Sequence, residues 1–268
     1  MASVEVRKEG YIGYIILNRP EKLNAFTWEM YGALCDAVDR VEEDDDILVA
    51  VIKGEGRCFS AGFDLSEPTI ENHVEYRRRY DRLANLSRRK IWNLPKPTIA
   101  QVHSHCLGGG HEVALACDFC FVDEKANMGV PEIQFGYGAA FFALPYMINL
   151  RKCREYLLTG KSYDGKTAVE IGIANRCVPV EELDATVKAF AKELAVVPVP
   201  SMYLQKRAIN RAIDAMGLSY ENEQWLDYSS LGSLWKSDYI DMFNEQCSKN
   251  GMKAAIKWRN EYFENIMK

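Results

Sequence analysis

Apolar and polar positions in the first part of the chain follow two periods, one typical of strands and one of helices. Two short apolar runs, residues 3–7 and 11–17, are joined by a turn at Gly10 and predict two strands. From Thr27 onward, apolar residues recur every three to four positions, which predicts an amphipathic helix with Thr27 at its cap. Residues 47–53 form a continuous apolar run, as expected of a strand buried on both faces.

The same order of elements continues to about residue 195. The predicted elements are a charged helix over 68–92, a buried strand over 98–104, a helix opened by glycines 108–110 and a strand over 119–124. Strands that alternate with helices predict an α/β fold with a mostly parallel sheet. Beyond a proline-containing break at 197–201 the pattern predicts only helices, over 201–215, 220–233 and 252–267. We therefore predict a core over residues 1–195 and a separate helical section over residues 196–268.

Composition and charge limit the kinds of molecule that the protein is expected to bind. The chain has 268 residues, of which 48% are hydrophobic and 26% charged, as in an ordinary globular protein. Its net charge of −5 does not favour nucleic-acid binding, so the arginine runs at 77–79 and 88–90 are interpreted as solvated helix faces. No apolar run approaches the length of a membrane span, and we expect neither a nucleic-acid nor a membrane partner.

The eight cysteines are expected to be free thiols, most of them in the core. The pair Cys117 and Cys120 has CxxC spacing, but it lies in an apolar run without a second ligand pair or the strand and helix context of a redox motif. A chain of this length needs no disulfides, and its N-terminus lacks the apolar stretch of a secretory signal. A reducing compartment and a cytoplasmic location are therefore predicted.

Two turns rich in small residues follow buried strands, at residues 59–65 (FSAGFDL) and at glycines 108–110. Small residues let a ligand approach the backbone, and the first N–H groups of a helix have no partner within it. Two such N–H groups aimed at one oxygen would form an oxyanion hole. A glycine triplet alone is equally compatible with a tightly packed turn.

Two glutamates lie near these turns. Glu112 falls in the first turn of the helix that the glycines open, within an apolar stretch, and Glu132 follows Pro131 near a second glycine-rich stretch. A pair of carboxylates beside an oxyanion hole can move protons between water and carbon. Taken singly, Glu112 also fits a solvent-facing helix acid and Glu132 a surface-loop acid.

These segments together resemble the crotonase (enoyl-CoA hydratase/isomerase) superfamily. The matching segments, in order, are NRPEKLNAF, FSAGFDL, KPTIAQVHSHCLGGGHEVALACDF, GVPEIQFG and LTGKSYDGKTAVEIGIANRCVP. The resemblance runs from about residue 5 into the C-terminal helices. It implies repeated ββα units that form a mostly parallel sheet, and an acyl-CoA hydratase or dehydratase that passes through an enolate.

The resemblance also assigns roles by position. It implies oxyanion-hole amides at Phe63 and Gly109, and acid–base work by Glu112 and Glu132 without saying which is the acid. No cofactor is implied beyond coenzyme A as part of the thioester substrate. The assembly implied is a homotrimer, or a hexamer of two trimers. The positions matching coenzyme A contacts are Lys22, Leu23, Ala25, Ala61, Leu65 and, from a neighbouring subunit, Phe243.

One stretch departs from the family pattern. Residues 136–146 lack the usual Pro-Gly and contain Tyr137, Phe141, Phe142 and Tyr146 instead. We interpret these rings as lining a pocket for an aromatic or alicyclic acyl group, with helix-core packing as the alternative for the two phenylalanines. Another enolate reaction (ring hydrolysis or C–C cleavage, isomerisation, decarboxylation) and a non-catalytic RNA-binding or scaffold role stay open.

Three histidines surround the glycine turn. His103 and His105 are predicted to face the same side of one strand, whereas His111 is expected to point away from the site. The resemblance implies no metal, and none is predicted.

Overall fold

The computed structural model describes residues 2–65, 73–136, 138, 141, 143–232, 234 and 237–266. Its strands are β1 Val4–Glu9, β2 Ile12–Leu17, β3 Val49–Gly54, β4 Thr98–Val102, β5 His105–Leu107, β6 Phe119–Asp123, β7 Asn127–Gly129 and β8 Arg176–Val178. Its helices are α1 Trp28–Glu43, α2 His73–Asn93, α3 Gly109–Ala116, α4 Leu144–Met147, α5 Leu150–Thr159, α6 Gly165–Glu170, α7 Val180–Ala195, α8 Val199–Ala215, α9 Leu218–Gly232, α10 Asp238–Asn250 and α11 Met252–Ile266. Short 3₁₀ helices span Pro20–Lys22 and Pro131–Phe135.

Six strands form the main sheet in the order β1-β2-β3-β4-β6-β8. Strands β1 and β2 pair antiparallel through the hairpin at Gly10, whereas every following pair in this sheet is parallel. The predicted α/β fold with a mostly parallel sheet is thus confirmed. Strands β5 and β7 form a second, two-stranded parallel sheet. The chain therefore passes twice from the main sheet into the second sheet, once from β4 to β5 and once from β6 to β7.

Alternate residues of β2 and β3 enter different cores because successive side chains of a strand point to opposite faces. On one face, Ile15 and Ile52 join the apolar side of α1; on the other, Tyr14 and Val51 meet α7. All six residues of β2 are buried, and so are five of the six residues of β3, whose continuous apolar run predicted burial on both faces. The sheet is therefore covered by helices on both faces.

The start of α1 lies where the sequence placed it. The Thr27 side chain accepts a hydrogen bond from the Met30 amide at 3.2 Å, which satisfies one of the unpaired N–H groups of the first turn. The buried positions of the helix follow the predicted spacing: Met30, Tyr31, Leu34, Cys35, Ala37, Val38 and Val41.

The strand predicted over 98–104 ends earlier than expected. Strand β4 stops at Val102, Ser104 takes a φ of +54°, and His105 begins β5 in the other sheet. The prediction that His103 and His105 share one face of a strand is therefore wrong. His103 lies against the Gly56 carbonyl, to which its Nε2 is 3.0 Å distant.

The C-terminal part contains one helix more than predicted. Helix α10 was missed; Ser237 caps it by accepting a hydrogen bond from the Ile240 amide. Six cysteines are buried and Cys177 and Cys247 are half-buried, and all eight are free thiols, as expected. Among the described residues no helix is long and apolar enough to cross a membrane.

Candidate active site

Two turns lie side by side at the ends of the core strands. The Ser60 amide donates to the His105 carbonyl at 2.9 Å, and the Leu107 amide donates back to the Ser60 carbonyl at 3.0 Å. Gly62 is so close to the second turn that a Cβ on it would come within 2.9 Å of the Leu107 carbonyl oxygen. Glycine is therefore required for the two turns to approach this closely.

The amides of Phe63 and Gly109 follow directly from these two turns. Within the described part of the chain, neither amide donates a hydrogen bond. Gly109 is the first residue of α3, where helix N–H groups have no internal acceptor. Both amides are thus free to bind an oxygen, and their convergence on one thioester oxygen stays a prediction.

Both predicted carboxylates are buried at the glycine turn. Glu112 is fully buried on α3, and Glu132 is 7% exposed on the 3₁₀ helix Pro131–Phe135. Glu132 is so close that a Cβ on Gly108 would overlap its Oε1 atom. The alternatives of a solvent-facing helix acid and a surface-loop acid are therefore excluded.

The interpretation of residues 88–90 as a solvated helix face is wrong for Arg88. Arg89 is exposed, but Arg88 is fully buried and its Nη2 lies 2.6 Å from Oε2 of Glu112. The charge of this run by itself predicts a solvated helix face. The spacing of Arg88 from buried Tyr80 and Ala84 on the same helix is the signal that was overlooked, since residues three to four apart share a helix face.

Two further groups at the site were missed by the sequence analysis. The Tyr31 hydroxyl accepts a hydrogen bond from Arg88 Nη2 at 3.0 Å, and the Phe141 amide donates to Oε1 of Glu112 at 3.1 Å. Burial raises the pKa of Tyr31, so this hydroxyl stays neutral. Burial lowers the pKa of Arg88 more than any other single cause, but Glu112, Tyr31, Asp81 and Tyr80 together outweigh it, and the pKa of Arg88 is raised.

The positions matched to coenzyme A lie on two adjoining segments. The Ala61 amide donates to the Leu23 carbonyl at 2.9 Å, so the chain before α1 runs beside the FSAGFDL turn. Ala25 is buried, Leu23 and Ala61 are half-buried, and Lys22 and Leu65 are exposed. The side-chain amide of Asn24 donates hydrogen bonds of 2.9 Å to the carbonyls of Glu55 and Cys58, and these bonds hold the two segments together.

Phe243 lies elsewhere, on α10. Its ring is 7% exposed and packs against Phe135 of the same chain, with centroids 5.5 Å apart. The Tyr239 hydroxyl of α10 also donates to the Gln134 carbonyl at 2.8 Å. Helix α10 therefore supports the 3₁₀ helix that carries Glu132. Contact of Phe243 with a neighbouring subunit's ligand stays a prediction.

The aromatic stretch 136–146 is described only in part. Phe141 is buried, and its ring meets Trp92 edge-on at 6.3 Å, while Tyr146 is half-buried. Phe141 therefore fits the core-packing alternative through its ring, although its amide holds Glu112. Tyr137 and Phe142 lie outside the described residues.

His111 points away from Glu112 into the core, as expected. It is fully buried and shares a hydrogen bond with the Tyr163 hydroxyl. Burial lowers the pKa of His111 to about 4, so the imidazole is neutral near pH 7.

Comparison with known proteins gives a consistent result. A family model described as enoyl-CoA hydratase/isomerase matches residues 7–247. The chain is 30% identical to a putative enoyl-CoA hydratase of Thermus thermophilus, with 97% of this chain and 100% of the relative covered. It is 32% identical to a hydroxycinnamoyl-CoA hydratase-lyase of Pseudomonas fluorescens, with 72% of each protein covered.

The fold agrees with these relatives. A crystal structure of an enoyl-CoA hydratase/isomerase from Xanthobacter autotrophicus Py2 superposes with a TM-score of 0.91 at 32% identity, covering 97% of this chain and 98% of that one. The match includes both the sheet core and the C-terminal helices. The chain belongs to the enoyl-CoA hydratase/isomerase family of the crotonase superfamily and is an enoyl-CoA hydratase-like enzyme.

Proposed function

We propose that this enzyme adds water to, or removes it from, the double bond of an enoyl-CoA thioester. The observation that carries the proposal is the burial of Glu112 and Glu132 against the glycine turn, whose Gly109 amide donates to no acceptor among the described residues. A hydratase needs two proton-transfer groups and a site for developing negative charge at one place.

In the proposed reaction, the amides of Phe63 and Gly109 bind the thioester oxygen and stabilise the enolate. One carboxylate takes a proton from water as the water oxygen bonds to Cβ. The other, protonated, gives its proton to Cα as the enolate collapses. The carbon–carbon π electrons thus form the new Cα–H bond, and no metal or redox group takes part in these steps.

The coenzyme A portion would lie along the corner formed by residues 22–25 and 61–65. Lys22 is exposed and free to approach a phosphate, whereas Ala25 is buried. No further cofactor is proposed. Phe243 is proposed to act at this ligand in the assembled oligomer.

For the acyl group we propose an aromatic or alicyclic structure. Support comes from the sequence positions Tyr137, Phe142 and Tyr146, without the core-packed Phe141, and from the relative named a hydroxycinnamoyl-CoA hydratase-lyase. That name also favours a second candidate, hydration followed by C–C cleavage on the same enolate chemistry. An RNA-binding or scaffold role is disfavoured because it would need neither buried acid.

Glu112→Gln and Glu132→Gln test the proposal. Each removes a proton-transfer group while keeping the shape of the side chain, so kcat should fall about 10²–10⁴-fold. Turnover is measured with crotonyl-CoA and cinnamoyl-CoA, and wild type should prefer cinnamoyl-CoA. Binding of coenzyme A by calorimetry should be retained in both variants.

The surface acid Glu223 supplies a matched control, since Glu223→Gln changes an exposed carboxylate far along the chain. Its activity should equal that of wild type. Undiminished turnover in both active-site variants would defeat the proposed mechanism. Faster turnover of crotonyl-CoA than of any cyclic substrate would contradict the proposed acyl group.

We also propose that the chain assembles as a trimer or hexamer through the helical section 196–268. The cytoplasmic location inferred from the free cysteines stays a prediction.

A further inference from the structure

Arg88 carries hydrogen-bond donors that no acceptor among the described residues uses. Its side chain is fully buried, and Nη2 alone accounts for its contacts with Glu112 and Tyr31. Among the described residues, Nε and Nη1 have no hydrogen-bond partner. Buried charged donors are nearly always paired, because leaving them unpaired forfeits the hydration they had in the unfolded chain.

The Arg88 guanidinium lies close to residues of the proposed reaction centre. The guanidinium carbon lies 5.3 Å from the centroid of the Tyr31 ring and 6.0 Å from that of Phe63. A Cβ placed on Gly109 would come within 3.5 Å of Arg88 Nη2. Because Phe63 and Gly109 supply the proposed oxyanion amides, the guanidinium lies beside the residues that would hold the thioester.

A structural role explains only part of this arrangement. Holding Glu112 in place requires Nη2 and no other nitrogen. A buried ion pair contributes little net stability compared with apolar side chains of similar volume. Neither consideration accounts for a guanidinium whose remaining N–H groups bond to no acceptor in the described part of the chain.

We propose that Arg88 determines substrate specificity, with its Nε or Nη1 N–H groups binding a neutral oxygen, a hydroxyl or carbonyl, on the acyl group. The inference rests on the proposed function and narrows its substrate class. A neutral oxygen is favoured over a carboxylate because the buried acids Glu112, Glu132 and Asp81 already surround this region. A substrate carboxylate would add a fourth carboxyl group to this buried region, whereas a hydroxyl or carbonyl would not.

Pairs of substrates that exchange a hydroxyl for a methyl group test the proposal on the native enzyme. The pairs are 5-hydroxypent-2-enoyl-CoA against hex-2-enoyl-CoA, and meta- and para-hydroxycinnamoyl-CoA against the corresponding methylcinnamoyl-CoA thioesters. In at least one pair, kcat/KM should favour the hydroxyl compound by about 10–100-fold, the range expected for a hydrogen bond from a charged donor. Glutaconyl-CoA, with a carboxylate, should be a poorer substrate than the preferred hydroxyl compound.

Variants of Arg88 connect that preference to this residue. Arg88→Met should bring the hydroxyl-to-methyl ratio close to one, and Arg88→Lys should keep part of it. The ratio is compared rather than the rate, because Arg88 also touches Glu112 and its loss slows both substrates. Arg89→Met, the exposed neighbour on the same helix, should keep the wild-type ratio.

Ratios near one in every wild-type pair would overturn the proposal, because a bound water would then satisfy the guanidinium. So would a wild-type ratio that survives in Arg88→Met, or a preference for glutaconyl-CoA. If Arg88→Met does not fold, the wild-type ratios and Arg88→Lys still decide. A wild-type enzyme that hydrates enoyl-CoA but shows no preference for the hydroxyl substrates would contradict this inference alone. Undiminished turnover in both glutamate variants would instead contradict the proposed function.

Discussion

Gly108 shows at the scale of one residue why the glycine triplet is needed. Its φ is +50°, a conformation that other residues rarely adopt, and a Cβ there would overlap Oε1 of Glu132. The turn and the position of the second acid therefore depend on the same missing side chain.

Gly108→Ala should displace Glu132 and strain the turn. We expect kcat/KM to fall at least about 100-fold, as when a preorganised catalytic group is lost, and the free energy of unfolding to fall by about 1–3 kcal/mol. Steady-state kinetics and urea unfolding measure the two effects.

Gly32→Ala is the matched control. Gly32 lies within α1, and a Cβ there would meet no atom within 4 Å. Alanine should therefore raise the free energy of unfolding by about 0.4–1 kcal/mol and leave activity unchanged, because it restricts only the unfolded chain. Wild-type activity in Gly108→Ala would contradict the placement of Glu132.

At the scale of elements, α3 is joined to the rest of the core by the contact between His111 and Tyr163. Both side chains are buried, and Tyr163 lies at the bridge between residues 128 and 163. The helix that carries Glu112 is thus fixed on its other side by a neutral histidine.

This contact predicts a pH dependence of stability. Burial lowers the pKa of His111 from 6.5 to about 4, so between these values the unfolded chain binds a proton that the folded protein does not. Stability should therefore fall as the pH drops through this window, and His111 alone should account for about 3 kcal/mol of the loss. Urea unfolding at several pH values measures the slope.

His111→Gln keeps a hydrogen-bonding side chain but cannot titrate in this range. The variant should lose less stability than wild type between neutral pH and about pH 4. Equal slopes for the two proteins would contradict the buried, neutral state of His111.

At the scale of the whole molecule, exposed apolar side chains are unevenly distributed. Among the described residues, twelve of the nineteen large exposed ones lie beyond residue 195, in about a quarter of the chain. Leu204, Leu231 and Leu234 are each more than 60% exposed. Such a concentration is typical of a surface that another subunit covers.

We therefore expect light scattering to give three or six times the chain mass of 30.5 kDa. Leu231→Glu should lower that mass, because a charge would have to be buried in the interface. Leu158→Glu, an equally exposed leucine of α5, is the control and should leave the mass unchanged. A single-chain mass at every concentration would contradict the proposed assembly.

The sequence alone determined the α/β fold, the start of α1 and the glycine turns, because each depends on local periodicity or on residues close along the chain. The two glutamates were identified as a pair only through the resemblance to the crotonase superfamily. The sequence predicted a solvated Arg88, a single strand over 98–104 in place of the end of β4 and the start of β5, and no helix at α10. Those features were decided by tertiary structure, since the burial of a charged residue depends on the acid that another element brings to it. Arg88 and Glu112 are 24 positions apart, and only the packing of α2 against α3 makes them an ion pair.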